Sequence, residues 1–241
     1  MQAAKAARSE AQPSEGGPPQ RSGRRLSSRA VRLTLQAIQA ADRLRLAWLK
    51  RWHPGLEIDP AASSNFAVAR YLLAPRAKLR IRAGAVTCRV PGALVFLVED
   101  GAEVEIGEGV WLRTELEPVR VAAYAGARIL TGPESLLNGC HLSAKREVRL
   151  GRRVWVGLGS RVFDSDQHDF DETRLLQSEP VSIGDYTWIA SDVTVMRGVT
   201  IGEHCIVGAR SLVTSDVEPH TLAFGLPARA RGKVGDRSRA T

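Results

Sequence analysis

The segment FDSDQHDFDETR, residues 163–174, places a single histidine, His168, among four aspartates and one glutamate. An imidazole titrates near neutral pH, so it can take a proton from an attacking hydroxyl group. A neighbouring carboxylate can fix its tautomer and stabilise the imidazolium, and Asp164 and Asp166 are both candidates for that role. A metal ligand and a solvated acidic loop are the other two interpretations, and the flanking sequence decides between the three.

A strict six-residue repeat follows this segment. Residues 181–216 read VSIGDY, TWIASD, VTVMRG, VTIGEH, CIVGAR and SLVTSD, and the third place is always aliphatic. Neither a helix nor a two-period strand gives such a repeat, whereas a parallel β-helix does, with one short strand and one turn per hexad. Three hexads close one triangular coil, and stacked coils bury each other. The inward residues are predicted to be Ile183, Ile189, Val195, Ile201, Val207 and Val213.

The same phase extends towards the N-terminus. It continues at Leu150, Val156 and Val162, and it returns at Ile106 and Leu112. Between Leu112 and Leu150 the phase slips, which predicts loops or imperfect coils there. We therefore predict an all-β fold, with a parallel β-helix over residues 79–218.

The histidine segment interrupts the repeat. From Val162 to Ile183 is 21 residues, three more than the ~18 of one three-hexad coil. Residues 163–180 are therefore predicted to leave the coil as a loop. A loop held by a rigid scaffold is a usual place for catalysis.

The N-terminal quarter carries most of the positive charge. Of the net charge of +8, residues 1–60 supply +6, with eleven Lys/Arg and five acids. Residues 1–26 are predicted to be a disordered basic tail, residues 27–53 an amphipathic helix that ends at Pro54, and residues 54–78 an irregular linker. The helix either packs on protein or lies on an anionic membrane surface. We expect no nucleic-acid partner.

Cysteine usage and hydropathy bear on the compartment. Cys88, Cys140 and Cys205 have no disulfide or zinc spacing, which favours a reducing compartment. No run of ~18 apolar residues and no signal-peptide core is present. The sequence predicts a cytoplasmic protein that can associate peripherally with the inner face of a membrane.

Three stretches carry a resemblance to a known family: LLNGCHLSA (136–144), DSDQH (164–168) with the hexads that follow, and PHTLAFGLPARARGKV (219–234). The chain resembles the hexapeptide-repeat acyltransferases, in the branch of galactoside, maltose and polysaccharide O-acetyltransferases. The resemblance implies a left-handed coil, a homotrimer with active sites between adjacent subunits, acetyl-CoA as the donor and no metal.

The resemblance also implies site residues. His168 matches the catalytic base, with Asp166 or Asp164 to orient it, and Asn138 matches a polar residue near the reacting centre, although a simple turn before Gly139 fits Asn138 too. The implied CoA contacts are Ala190 and Ser191 beside the thioester, Gly208, Ala209 and Ser211 along the pantetheine arm, and Arg229, Arg231 and Lys233 at the phosphates. These last residues lie in the segment 219–241, which is predicted to be CoA-proximal.

Departures from the family pattern leave the acceptor open. Ala190 stands where the family usually has Gly, Leu226 replaces a common Asn, and the N-terminal segment 1–60 does not match. A hydroxyl of a sugar, a glycan or a lipid-linked saccharide is the expected acceptor, with N-acetylation of an amino sugar as the alternative.

Two other classes of function compete with an acyltransferase. One is a zinc enzyme using His141, His168 and His204, although the closely spaced histidine pair such a site needs is absent. The other is a non-catalytic trimeric β-helix scaffold, which would leave the acidic loop and the basic C-terminal segment unexplained.

Overall fold

The computed structural model describes residues 28–240, so the predicted tail 1–26 lies outside the described residues. One helix, α1 (Ser28–Trp52), lies where the sequence predicts residues 27–53 to be helical. The chain falls into two compact units that divide inside this helix, after Ala37. The first unit contributes only the helical residues 28–37 to the description, and the second unit contains everything that follows. Within residues 28–240, no helix is both long and apolar enough to cross a membrane.

Apart from one 3-10 helix, the remaining regular structure of residues 28–240 is short strands. In chain order they are β1 (Leu56–Ile58), β2 (Arg70–Leu73), β3 (Lys78–Ile81), β4 (Val86–Thr87), β5 (Leu94–Val98), β6 (Glu103–Ile106), β7 (Trp111–Arg113), β8 (Val119–Ala123), β9 (Arg128–Thr131), β10 (Leu136–Asn138), β11 (His141–Ala144), β12 (Glu147–Leu150), β13 (Trp155–Val156), β14 (Arg161–Phe163), β15 (Val181–Ile183), β16 (Trp188–Ile189), β17 (Thr194–Val195), β18 (Thr200–Ile201), β19 (Ile206–Val207), β20 (Leu212–Val213), β21 (Thr221–Gly225) and β22 (Ala228–Lys233), with a 3-10 helix, η1 (Ser64–Val68), between β1 and β2.

These strands form three sheets, which are the faces of a triangular coil. Face 1 is β1-β3-β6-β9-β12-β15-β18, face 2 is β4-β7-β10-β13-β16-β19-β21-β22, and face 3 is β2-β5-β8-β11-β14-β17-β20. Along the chain, a strand of face 1 is followed by one of face 2, then of face 3, then of face 1 in the next coil. Among the strand pairs of residues 28–240, only the last hairpin, β21–β22, is antiparallel. The predicted all-β parallel β-helix is confirmed.

The hexad aliphatics point inward as predicted. Ile183, Ile189, Val195, Ile201, Val207 and Val213 are each no more than 1% exposed. Each aligns with its counterpart in the next coil, as Ile183 does with Ile201 and Ile189 with Val207. The core is therefore three stacks of aliphatic side chains, one behind each face.

Coil length differs between the two halves of the domain. Ser182 pairs with Thr200, which lies three hexads further along the chain, whereas Glu103 pairs with Arg128, which lies more than four hexads further. Several strands of the early coils have four or five residues and bury two or three of them, as Leu94, Phe96 and Val98 of β5 show. Because these coils are longer than three hexads, the six-residue repeat is not visible in this part of the sequence.

Between Leu112 and Leu150 the prediction of imperfect coils is confirmed and that of loops is not. Strands β8 to β12 all pair with strands of neighbouring coils, but Leu112 pairs with Leu137 and Leu137 with Val156, so these coils are longer than three hexads. The expectation of an irregular linker was wrong. Residues 54–78 are not a linker but the first coil, since β1 pairs with β3 and β2 with β5. Helix η1 lies between β1 and β2 in the chain and buries Phe66 completely.

The turn from face 1 to face 2 is a column of glycines. A Cβ on Gly132 would lie 2.3 Å from the carbonyl carbon of Gly151 in the next coil, and a Cβ on Gly107 would lie 2.4 Å from the carbonyl oxygen of Thr131. These backbones are too close for any side chain, so coil stacking at this corner requires glycine.

We therefore expect Gly132→Ala to lower the free energy of unfolding by at least about 1–3 kcal/mol, because the added methyl group meets backbone that cannot rotate away. Thermal unfolding would show this as a fall in Tm. The matched control is Gly235→Ala, where a Cβ would meet nothing within 4 Å. Equal Tm values for the two variants would contradict the close approach at this corner.

Candidate active site

The loop that carries His168 leaves the coil between face 3 and face 1. It follows β14, returns before β15, and is closed at its base by an antiparallel bridge between Ser165 and Ser178. Asp164 lies at this base with no exposed surface. Its carboxylate accepts the backbone N–H groups of Lys145 at 2.7 Å and of Arg146 at 2.6 Å. Asp164 therefore anchors the loop to the preceding coil, and both of its oxygens are engaged there.

Asp166 is held by one oxygen and free at the other. Arg197 donates its Nε–H to Asp166 Oδ1 at 2.7 Å and also pairs with Glu179. Asp166 Oδ2 is buried and has no hydrogen-bond partner within residues 28–240. Burying a carboxylate oxygen without a hydrogen-bond donor costs free energy. This oxygen can therefore accept a hydrogen bond from an N–H or O–H group that enters the site.

His168 itself is exposed near the start of the loop. In the described part of the chain, no hydrogen bond joins its ring to Asp166 or to Asp164. The residue before it, Gln167, has a left-handed φ of +70°. Its carbonyl oxygen accepts the Lys145 ammonium at 2.7 Å, and its side-chain amide donates to Ser165 Oγ at 2.8 Å. These contacts fix the backbone from which His168 projects.

Lys145 and Arg197 are the residues that sequence reasoning missed. Lys145 also lies over the Tyr124 ring, 5.5 Å from its centroid. Lys145 directly follows the LLNGCHLSA stretch, and Arg197 lies in the hexad VTVMRG. The one sequence feature that could have indicated these two site residues is a cationic side chain next to a hexad position.

The other predicted site residues lie at the turn from face 2 to face 3. Asn138 ends β10, Ala190 and Ser191 follow β16, and Gly208 and Ala209 follow β19. The column is built from small residues: a Cβ on Gly157 would lie 2.7 Å from the carbonyl carbon of Ala190, and one on Gly208 would lie 2.8 Å from Phe224 Cβ. The backbones of successive coils therefore pack directly on each other along this corner.

Two residues near this corner are structural. Ser211 is 2% exposed, and its hydroxyl donates to the Gly208 carbonyl at 2.6 Å and accepts the Gly225 N–H at 3.1 Å. Its side chain is therefore engaged in the turn, and the contact with the pantetheine arm that the resemblance implies around Ser211 stays a prediction. Burial raises the pKa of the Cys140 thiol to about 12, so this cysteine is not a nucleophile near neutral pH.

The predicted phosphate-binding cations lie on the last hairpin. Arg229, Arg231 and Lys233 are exposed on β22, and Arg231 lies over the Phe224 ring at 5.6 Å. None of the three forms an ion pair with an acid of the described segment. They concentrate positive charge at the C-terminal end of face 2.

The predicted site residues thus form two groups at opposite ends of the face 3 strands. One group, with Asn138 and Ser191, precedes these strands at a corner that we call the donor corner, after the donor contacts that the resemblance implies there. The His168 loop follows the strands at the other corner. A single subunit does not bring the two groups together.

The geometry disfavours zinc. His141 starts a strand of face 3, His168 lies in the loop, and His204 lies at the turn from face 1 to face 2, so the three histidines are dispersed. A different group, Glu203, His204 and His220, has ligand atoms within 4.8 Å of one another. Its two imidazoles are stacked 4.7 Å apart and 9° from parallel, so their in-plane lone pairs do not converge on one ion. His204 Nδ1 also accepts the Arg237 N–H at 2.9 Å.

Comparison with known proteins adds to this picture. The family model for the bacterial transferase hexapeptide (six repeats) matches residues 180–215. Galactoside O-acetyltransferase of Escherichia coli (strain K12) is 38% identical over 72 residues, which are 30% of this chain and 36% of the relative. The chain thus spans about a third of the length of this curated relative.

Two solved structures are also similar. The polySia-specific acetyltransferase NeuO has a TM-score of 0.59 at 19% identity, over 77% of this chain and 78% of that chain. A galactoside acetyltransferase in complex with coenzyme A has a TM-score of 0.38 at 22% identity, over 61% of this chain and 68% of that chain. The fold is the left-handed parallel β-helix of hexapeptide proteins, as the sequence resemblance implies.

Proposed function

We propose that this protein, which carries the bacterial transferase hexapeptide repeat, moves an acetyl group from acetyl-CoA to a hydroxyl of a sugar, glycan or lipid-linked saccharide. The observation that carries the proposal is the His168 loop. It is anchored by the buried Asp164 carboxylate to a rigid coil, and Lys145 fixes the backbone beside the histidine. The similarity to galactoside O-acetyltransferase over 72 residues supports the same reaction class.

In the proposed mechanism, the His168 imidazole accepts the proton of the acceptor hydroxyl as its oxygen attacks the thioester carbonyl carbon. A tetrahedral oxyanion forms, and the Asn138 amide is the candidate donor to it or to the acceptor hydroxyl. The C–S bond then breaks, and the CoA sulfur leaves with the proton from the imidazolium. The free Asp166 Oδ2 is the candidate acceptor for the second ring N–H of His168.

Acetyl-CoA is proposed to bind along the corner between face 2 and face 3. Ala190, Ser191, Gly208 and Ala209 offer a smooth backbone surface to the pantetheine arm. At the end of this path, Arg229, Arg231 and Lys233 supply charge for the phosphates, where guanidinium groups can bind bidentately.

The separation of the two groups supports a homotrimer. If the donor corner of one subunit faces the His168 loop of its neighbour, each interface completes one site. A single subunit then holds two half-sites and no complete site.

We expect His168→Ala to lower kcat by about 10²- to 10⁴-fold, because the attacking hydroxyl loses its base. The release of the CoA thiol and the mass of the acetylated product, measured over a panel of acceptors, report the rate. Glu172→Gln, an exposed position of the same loop, is the control and should keep the wild-type rate. A wild-type rate in a folded His168→Ala protein would disprove the base role. Products acetylated only on an amine would favour the N-acetyltransferase alternative. A wild-type protein without any acetyltransferase activity would favour the non-catalytic scaffold.

Co-expression of two inactive variants tests the shared site. His168→Ala damages one corner, and Ser191→Trp blocks the other with a bulky side chain at an exposed position. In mixed trimers about a quarter of the interfaces combine two intact halves, so we expect about a quarter of the wild-type activity. The variants mixed after separate purification are the control. If one subunit supplied both halves, co-expression would restore nothing.

We also propose that α1 docks on an anionic membrane surface, at the inner face if the protein is cytoplasmic. In the second unit, Leu44, Trp48 and Trp52 are 73%, 60% and 64% exposed. A neighbouring side of the helix packs inward through Leu49 and through Asp42, which pairs with Arg89 at 2.5 Å. The exposed Arg43, Arg45 and Arg51 complement anionic headgroups, and tryptophan favours the interface.

Flotation with phosphatidylglycerol vesicles tests this docking. Trp48→Ser/Trp52→Ser should lower the bound fraction by about tenfold or more, because two exposed indoles no longer enter the interface. Trp111→Ser, which removes a 41% exposed indole from face 2, should leave it unchanged. Equal flotation of the wild-type protein and the double variant would rule out this surface.

A further inference from the structure

The outward rows of the coil differ in their charge. On face 1, positive and negative side chains alternate and pair across coils. Arg82 binds Glu105 of the next coil at 2.9 Å, and Glu147 pairs with Arg128 of the neighbouring coil and with Arg149 of its own strand. Such a ladder neutralises itself, since opposite charges on neighbouring strands attract.

Face 3 carries an outward row of cations with no such compensation. Strand pairing aligns Arg120 with His141 and His141 with Arg161. Both arginine side chains are exposed, and within residues 28–240 neither forms an ion pair or a side-chain hydrogen bond. Neighbouring strands lie about 4.8 Å apart, so the two arginines start about 10 Å from each other.

The histidine between the arginines is a neutral hydrogen-bonding group. His141 is half-buried, with its ring edge-on to Phe163 at 5.4 Å. Burial, then the charges of Arg120 and Arg161, lower the pKa of His141 below its ordinary value. The imidazole therefore stays uncharged at neutral pH and can donate to or accept from a ligand.

Position links this row to the proposed site. His141 follows Asn138 by three residues, so the row begins beside the donor corner. Arg161 opens β14, the strand from which the His168 loop departs. The row therefore lies at the start of the strands of face 3, the face that joins the two half-sites.

We propose that the Arg120–His141–Arg161 row binds a carboxylate or phosphate group of an anionic saccharide, which is the acceptor. Guanidinium groups bind both anions bidentately, the imidazole suits a sugar hydroxyl, and Phe163 offers an apolar surface to a sugar ring. The CoA phosphates have their own cations on β22, at face 2. This inference names the acceptor class of the proposed acetyltransferase and rests on that function.

Direct binding without a donor tests the row independently of catalysis. Calorimetry with the full chain would compare a glucuronate hexasaccharide, a phosphorylated glucose oligomer and neutral maltohexaose. We expect one of the anionic probes to bind and the neutral one not to. Arg120→Gln/Arg161→Gln should weaken that binding about tenfold or more, because charge-assisted hydrogen bonds are lost.

The matched control is Arg82→Gln/Arg149→Gln, which removes the same charge from the compensated ladder of face 1 and should leave the dissociation constant unchanged. Because this binding is measured without acetyl-CoA, it does not depend on acetyl transfer, which separates this inference from the proposed chemistry. Three results would overturn the proposal. The first is no binding of either anionic probe at millimolar concentration, and the second is an equal loss of probe affinity in the control variant. The third is a loss of affinity for CoA, and not for the probe, in Arg120→Gln/Arg161→Gln.

Discussion

Parallel hydrogen bonding between successive coils is the constraint on which the rest of this structure depends. Each strand pairs with the strand directly above it, so a position in one coil is locked to the same position in the next. Inward positions such as Val162, Val195 and Val213 must then be aliphatic, because each covers the one below it. Outward positions form rows as well, so that surface chemistry is repeated or alternated along a line. Turns must also superimpose, which demands glycine where backbones meet, as at Gly132 and Gly151.

The sequence predicted the second half of the coil better than the first for the same reason. Where a strand has two residues, one aliphatic faces inward and the six-residue period is visible. In the early coils several strands have four or five residues, and β5 buries Leu94, Phe96 and Val98 while Val95 and Leu97 face outward. The local alternation of such strands is ordinary, and the longer period of these coils contains no short repeat. The first coil was missed because Phe66 fills its core from a 3-10 helix rather than from a strand.

The candidate site divides in a similar way. The position of the His168 loop could be predicted, because an interruption of a strict repeat is visible in a single sequence. The role of Asp164 could not, since the amides of Lys145 and Arg146 become its neighbours only when one coil stacks on another. Arg197 reaches Asp166 across the same kind of contact. The hydrogen bond of the Ser211 hydroxyl to the Gly208 carbonyl could not be predicted either, because no spacing reveals it.

The three faces give one coil three different surfaces, and this bears on how a whole site can arise. On face 1 the outward charges pair with each other, so this face is suited to exposure to solvent. Face 2 aligns Trp111, Leu136, Trp155 and Trp188 in one outward row, which is apolar and partly exposed. Face 3 carries unpaired cations and is bordered by both half-sites. In the proposed trimer, a ligand that neutralises face 3 is held next to the donor corner, and the proposed base comes from the neighbouring subunit. Oligomerisation and acceptor binding would then be coupled through the same face, because the row that holds the acceptor lies on the face that joins the two corners that must meet.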